Sequence, residues 1–278
     1  LTDLTALAEC QQLEQLLLWN CVKITDLAPL AECKKLNHFS LHACEGITNL
    51  VPLAGCQQLT RVTLSVCESI TDLVPLAECK KLTHFSLHAC ELITELSPLA
   101  ECQQLTHFKF ETKPVTRVSS HMAIIDLSPL AKCKQLAHFG LSSDSVTDLS
   151  PLAKCQQLSH VRLSKCNIAD LSPLAECQHL TRLTLRRLTS LTDLTPLAMC
   201  TKLVHLELDD CQDHQNGHGI ADLSPLAECQ QLAYFHVLDC GTAKAERYRQ
   251  RLTPKDEHLL HHQAIAMSSG QWLYMNGL

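Results

Sequence analysis

The chain has 278 residues, a hydrophobic fraction of 46%, four per cent aromatics and a formal net charge of -6. That length buries a substantial core, while the near-zero mean hydropathy and short apolar runs exclude a transmembrane span. The negative charge argues against general nucleic-acid binding, which needs a basic footprint to neutralise phosphates.

The chain opens at Leu1 inside a repeating pattern, with no basic-then-apolar leader, so a piece cut from a longer protein is expected. Ile24 to Gly46 and Ile70 to Leu92 are 23-residue units that differ at three positions. Ten such units follow one another from Leu1, Ile24, Ile47, Ile70, Ile93, Ile124, Val146, Ile168, Leu191 and Ile220. In each, a stretch such as Leu36, Phe39, Leu41 and Cys44 alternates with period two and reads as a short strand with its apolar side chains turned inward. The other half, Asp222 to Leu232 for example, offers Ser224 as N-cap and Pro225 at the first helical position, which predicts one or two turns of α or 3₁₀ helix. One unit cannot bury its own apolar face, whereas ten stacked units share a continuous core.

Two insertions interrupt the units, at 111–123 and 209–219, and both leave just after a strand, so they are expected to project from one rim. Asp213, His214 and His218 in the second could hold a metal, but a Gly-rich loop without supporting partners is a poor metal site. Residues 241–278 break the repeat. Thr253, Pro254, Asp256 and Glu257 look like a helix start, and the segment is expected to form a helical cap on a solenoid of residues 1–240.

The pattern L-x-x-L-x-L-x-x-[NC], with its I-T-D-L-x-P-L-A element, resembles the short-repeat leucine-rich-repeat class of internalin-like bacterial proteins and of a eukaryotic phosphatase regulatory subunit. The resemblance implies an α/β fold: a right-handed leucine-rich-repeat solenoid, with a parallel β-sheet on the concave face and short helical segments on the convex face. It implies no particular ligand, because this scaffold hosts many. The departure is cysteine, where internalin-like units usually carry leucine on the outer side and asparagine at the turn.

All seventeen cysteines fall in two periodic slots. Ten, from Cys10 to Cys229, sit in the helical half, and seven, from Cys21 to Cys240, sit in the turn after the strand, where the remaining units carry Lys113, Asp144 and Leu188. Cysteine behaves there as a compact hydrophobe, and an odd number of unpaired thiols favours a reducing compartment: the cytoplasm, or the host cytosol for a secreted bacterial effector. Cys211-Gln212-Asp213 matches the C-x-D nucleophile signature of bacterial leucine-rich-repeat ubiquitin ligases, but without the separate helical domain that carries it there. No catalytic constellation stands outside the periodic slots, so the sequence reads as a non-enzyme with no cofactor or metal.

The outward strand positions carry the variation that would encode a partner. The first column holds six histidines, with His84, His107, His138 and His160 in consecutive units. Parallel side chains do not close a coordination sphere, so this ladder reads as contact surface rather than as a metal site. The next columns are zoned: a neutral N-terminal half, a basic cluster of Arg162, Lys165, Arg182, Arg186 and Arg187, and an acidic cluster of Glu207, Asp209, Asp210 and Asp239. Such blocks suit electrostatic steering of a protein partner. The expected function is a protein-binding module of a larger intracellular signalling, defence or effector protein, the alternative being a purely structural scaffold.

Overall fold

The computed structural model describes residues 2–112, 126–213 and 216–240. Ten five-residue strands form one parallel sheet: β1 (Gln15–Trp19), β2 (His38–His42), β3 (Arg61–Ser65), β4 (His84–His88), β5 (His107–Glu111), β6 (His138–Ser142), β7 (His160–Ser164), β8 (Arg182–Arg186), β9 (His205–Asp209) and β12 (Tyr234–Leu238). Each strand pairs only with its neighbours in the chain, and the register repeats from unit to unit, as Leu41↔Leu64 and Leu64↔Leu87 show. Second and fourth strand positions are buried from β2 to β9, while first and fifth are not. The leucine-rich-repeat solenoid read from the sequence is the fold.

The helical halves are 3₁₀ rather than α in every described unit but one, where Ser172–Ala175 forms a single α turn. Their hydrogen bonds close over three residues, as from Leu53 N to Leu50 O (2.9 Å) and Cys56 N to Leu53 O (2.9 Å). Ser224 is not the cap expected of it. It is the first helical residue, and Asp222 caps instead, its Oδ1 accepting from Ser224 N (2.9 Å) and its Oδ2 from the Ser224 hydroxyl (2.8 Å). Asp126, Asp148, Asp170 and Asp193 do the same in their units. Proline at the second position removes an amide that has no partner, so an Asx turn one step earlier satisfies the donor that remains.

The cysteines do more than fill space. From Cys33 to Cys229 the thiols of the helical column each reach a leucine carbonyl in the preceding unit, for instance Cys56 Sγ to Leu30 O (3.2 Å) and Cys102 Sγ to Leu76 O (3.4 Å). Each of those buried carbonyls also accepts the amide of the cysteine in its own unit, as Leu30 O does from Cys33 N (2.9 Å), so the thiol occupies the second lone pair, which leucine would leave unused, at little cost in polarity. In the turn column Cys44, Cys67, Cys166 and Cys211 act alike, as from Cys44 Sγ to Leu18 O (3.5 Å). Burial pushes the Cys79, Cys133 and Cys177 thiols up to about 12. Iodoacetamide at pH 8 is therefore expected to modify exposed Cys10 first and half-buried Cys21 next. The buried column should react only after urea unfolds the chain. Intact mass would show one or two adducts before unfolding and seventeen after; rapid labelling of Cys79 in the native protein would contradict this packing.

The turn after eight of the ten strands, all but β5 and β6, has a feature the sequence does not announce. Asn20, Ala43, Val66, Ala89, Lys165, Arg187, Asp210 and Asp239 all have φ between 49° and 55°. Glycine is the usual occupant of that left-handed region. Here the conformation aims the amide at the next strand, as from Lys165 N to Arg186 O (2.9 Å) and Arg187 N to Asp209 O (2.8 Å), and that bond offsets the steric cost. The sixth unit departs from this pattern: Ser143 is 1% exposed and fills the turn slot, while Asp144, expected there, is exposed. A carboxylate cannot enter an apolar slot unpaired, so the shortened turn presents the serine instead. Lys113, expected in the same slot one unit earlier, lies outside the described residues.

The second insertion is not a loose loop. Gln212–Asp213 (β10) and His218–Gly219 (β11) pair antiparallel, and Gly217, at φ 67°, makes the bend. Gly219 is required there, since a Cβ would stand 2.6 Å from Cys240 O. Asp213 accepts from the side-chain amide of Asn216 (2.6 Å), so its carboxylate closes the turn. His214 and the side chain of His218, considered with it as metal ligands, lie outside what is described. So do residues 113–123 of the first insertion and the 241–278 cap. Among the described residues no helix is long and apolar enough to cross a membrane.

Candidate partner-binding face

Because second and fourth strand positions pack inward, first, third and fifth positions form the open face of the sheet. Parallel register places identical positions side by side, so the histidine column becomes a stack: His84–His107, His107–His138 and His138–His160 have ring centroids 4.0, 4.1 and 4.3 Å apart, with planes within 21° of parallel. Trp19 on His42 and His205 on Tyr234 stack likewise nearer the two ends. Trp19 and Leu17 are largely exposed, giving the first strand an apolar surface.

The tautomer of the ladder follows from its neighbours. Thr83 Oγ1 donates to Thr60 O (3.0 Å), Thr106 Oγ1 to Thr83 O (3.0 Å) and Ser159 Oγ to Ala137 O (3.1 Å). Each hydroxyl has only one proton, so its contact of 2.8–2.9 Å with Nδ1 of His84, His107 or His160 is one in which the ring donates. Their Nε2 atoms are therefore unprotonated acceptors at the outer edge of the stack. Parallel lone pairs at this spacing cannot converge on one ion, and no group of three or more metal-ligating side chains occurs among the described residues.

Desolvation first, then the proximity of other rings and of Arg61 or Arg182, holds these histidines below the usual imidazole range, with His107 lowered to about 4. The folded state thus binds protons more weakly than the unfolded chain. The ladder's contribution to stability is fully present above pH 6.5 and is lost as pH falls from there through about 4. Carboxylates with depressed values, such as Asp170 and Asp193, act only below their ordinary value of 3.8, so the two windows separate. The melting temperature is expected to fall by a few degrees between pH 7 and 4.5, and to fall less in His107→Gln/His138→Gln. An equal fall in both proteins would contradict the assignment.

Lateral register decides what each charged side chain finds beside it. The expected basic and acidic blocks face each other across adjacent units, since Thr184 is in register with Glu207 and Arg186 with Asp209. Arg186 donates from Nε to Glu207 Oε1 (3.0 Å) and from a terminal nitrogen to the same oxygen, and its Nε lies 3.7 Å from Asp209. Arg187 pairs with Asp210 at 3.4 Å. Two zones of opposite sign one strand spacing apart neutralise each other instead of steering separately. Arg162, Lys165 and Arg182 remain, exposed and with no carboxylate in ion-pair contact among the described residues. They lie beside the C-terminal end of the neutral ladder, His160 being in register with Arg182.

Cys211, whose C-x-D context resembles a nucleophile motif, is fully buried in the turn column, its thiol donating to Leu185 O (3.4 Å). It is a core residue.

No family model matches the chain, and no curated protein does. Solved structures do. An internalin, InlF, from Listeria monocytogenes superposes with a TM-score of 0.64 at 24% identity, over 84% of this chain and 70% of that one. That likeness shows the fold. Two further proteins of the same bacterium align less closely: internalin C2, with a TM-score of 0.46 at 25% identity over 86% of this chain and 76% of that one, and the InlJ functional domain, described as including a cysteine ladder, with a TM-score of 0.48 at 18% identity over 86% and 58%.

Proposed function

We propose that this chain is a protein-recognition module whose contact surface is the open face of the sheet around β5 to β8. The observation that carries this reading is the juxtaposition of a rigid, uncharged imidazole stack with three cations, Arg162, Lys165 and Arg182, that have no carboxylate in ion-pair contact among the described residues although the net charge is -6. A partner presenting carboxylates between apolar or hydrogen-bond-donating groups would find both kinds of contact there. The module belongs to a larger signalling, defence or effector protein that works in a reducing compartment. Seventeen free thiols, most of them buried in repeat slots, support that setting.

The test is capture from a native cytosol, comparing the unaltered chain with Arg162→Glu/Arg182→Glu. Arg186 is left intact because its role is structural. A partner retained only by the unaltered chain, and bound through association at least tenfold faster, would establish recognition at this face. Equal retention by both would overturn it and favour a scaffold role.

A further inference from the structure

In the third strand column, Lys109, Gly140 and Arg162 are consecutive in register, and in the fifth, Glu111, Ser142 and Ser164. The missing side chain at Gly140 leaves a depression that these residues line together with Lys165. A Cβ at Gly140 would meet Lys109 Cγ at 3.4 Å and nothing closer, so the space toward Arg162 is open. Glu111 lies 3.1 Å from Lys109 Nζ. Three cations against one carboxylate leave two positive charges around the depression.

Two serine hydroxyls in its lining are available. Ser65, two strands before Glu111 in the same column, is engaged by His42 Nδ1 at 3.1 Å, but the Ser142 and Ser164 hydroxyls have no hydrogen-bond partner among the described residues. Ser142 and Ser164 are directly in register, so their backbones stand about 4.8 Å apart and both line the same depression as Arg162 and Lys165.

We infer that this depression is a site for a phosphate monoester, carried on a phosphoserine or phosphothreonine side chain of the protein partner; the inference rests on the recognition role proposed above for the same face. A carboxylate brings one charge and two coplanar oxygens. A phosphate monoester brings up to two charges and three acceptor oxygens set tetrahedrally, which match the charge excess, the Arg162 fork, Lys165 and the two hydroxyls. Gly140 gives the room, because any larger residue at that register position would occupy the place of the phosphoryl group.

The probes are N-acetyl phosphoserine amide, its serine and glutamate counterparts and inorganic phosphate, titrated into the full chain and followed by backbone amide shifts. The phosphoserine compound is expected to shift Gly140, Ser142, Ser164 and Lys165, with the serine and glutamate compounds at least tenfold weaker. Arg162→Gln/Lys165→Gln should weaken binding at least tenfold. Gly140→Val should do the same without changing charge, and Arg187→Gln should change nothing. Equal binding of the glutamate compound, or undiminished binding in Gly140→Val, would overturn the site. Inorganic phosphate shifting these amides while the phosphoserine compound does not would overturn a protein source. If capture of the partner depends on Arg162 and Arg182 but survives phosphatase treatment, only this inference falls. If the compound binds as expected but no partner depends on those arginines, the recognition role falls.

Discussion

Phe108→Ala is expected to lower the unfolding free energy by about 3–5 kcal/mol and to split or broaden the denaturant transition. Phe108 is 2% exposed at the centre of a buried row in which its ring lies 6.2 Å from Phe85 and 5.7 Å from Phe139. Truncation empties a volume walled by rigid sheet and 3₁₀ segments, which close on it poorly. The position adds to the cost. In a solenoid each unit is stabilised by its two neighbours, so a cavity between β4 and β6 weakens the packing through which the first four units are coupled to the last five among the described residues. A loss of this size is a large share of the roughly 5–15 kcal/mol typical of whole domains. Urea unfolding followed by circular dichroism tests it, with Val74→Ala, exposed on the helical side, as the control that should stay within about 0.5 kcal/mol. A single sharp transition shifted by less than about 1 kcal/mol would mean that the row is not a coupling element.

Arg186→Glu should destabilise the fold by about 2–4 kcal/mol, while Arg162→Glu should leave stability nearly unchanged. The Glu207 side chain is only 15% exposed, and Arg186 is its hydrogen-bonded counter-charge. Replacing the guanidinium by a carboxylate would crowd three like charges where Glu207, Asp209 and position 186 converge. Desolvation removes the screening that makes surface pairs negligible, so breaking this pair costs more than forming it contributes. Thermal melts of Arg186→Gln, Glu207→Gln and the double variant form the cycle. The double variant is expected to recover most of the loss seen in Arg186→Gln, and simple additivity of the two losses would show that the pair is not coupled.

The sequence by itself determined the solenoid, because a repeat of 22 or 23 residues with inward positions at fixed offsets has one economical burial: Leu36, Phe39 and Leu41 pack against their counterparts in the next unit, and no other register hides them all. It also determined which positions face outward, and so the histidine and arginine columns. It could not tell which column members neutralise each other. That Arg186 is spent on Glu207 while Arg162 is left over depends on lateral register, which places residues some 21 positions apart within hydrogen-bond reach. Nor could it show that Asp222 rather than Ser224 caps, that Ser143 rather than Asp144 turns inward, or that Lys165 and Arg187 occupy the left-handed turn, since those outcomes are set by which backbone groups the adjoining unit leaves unsatisfied. The role of cysteine as a donor to the preceding unit's carbonyl, and the fixed tautomer of the ladder, belong to the tertiary structure for the same reason. Periodicity specifies what is buried, and only stacking specifies what each polar group finds beside it.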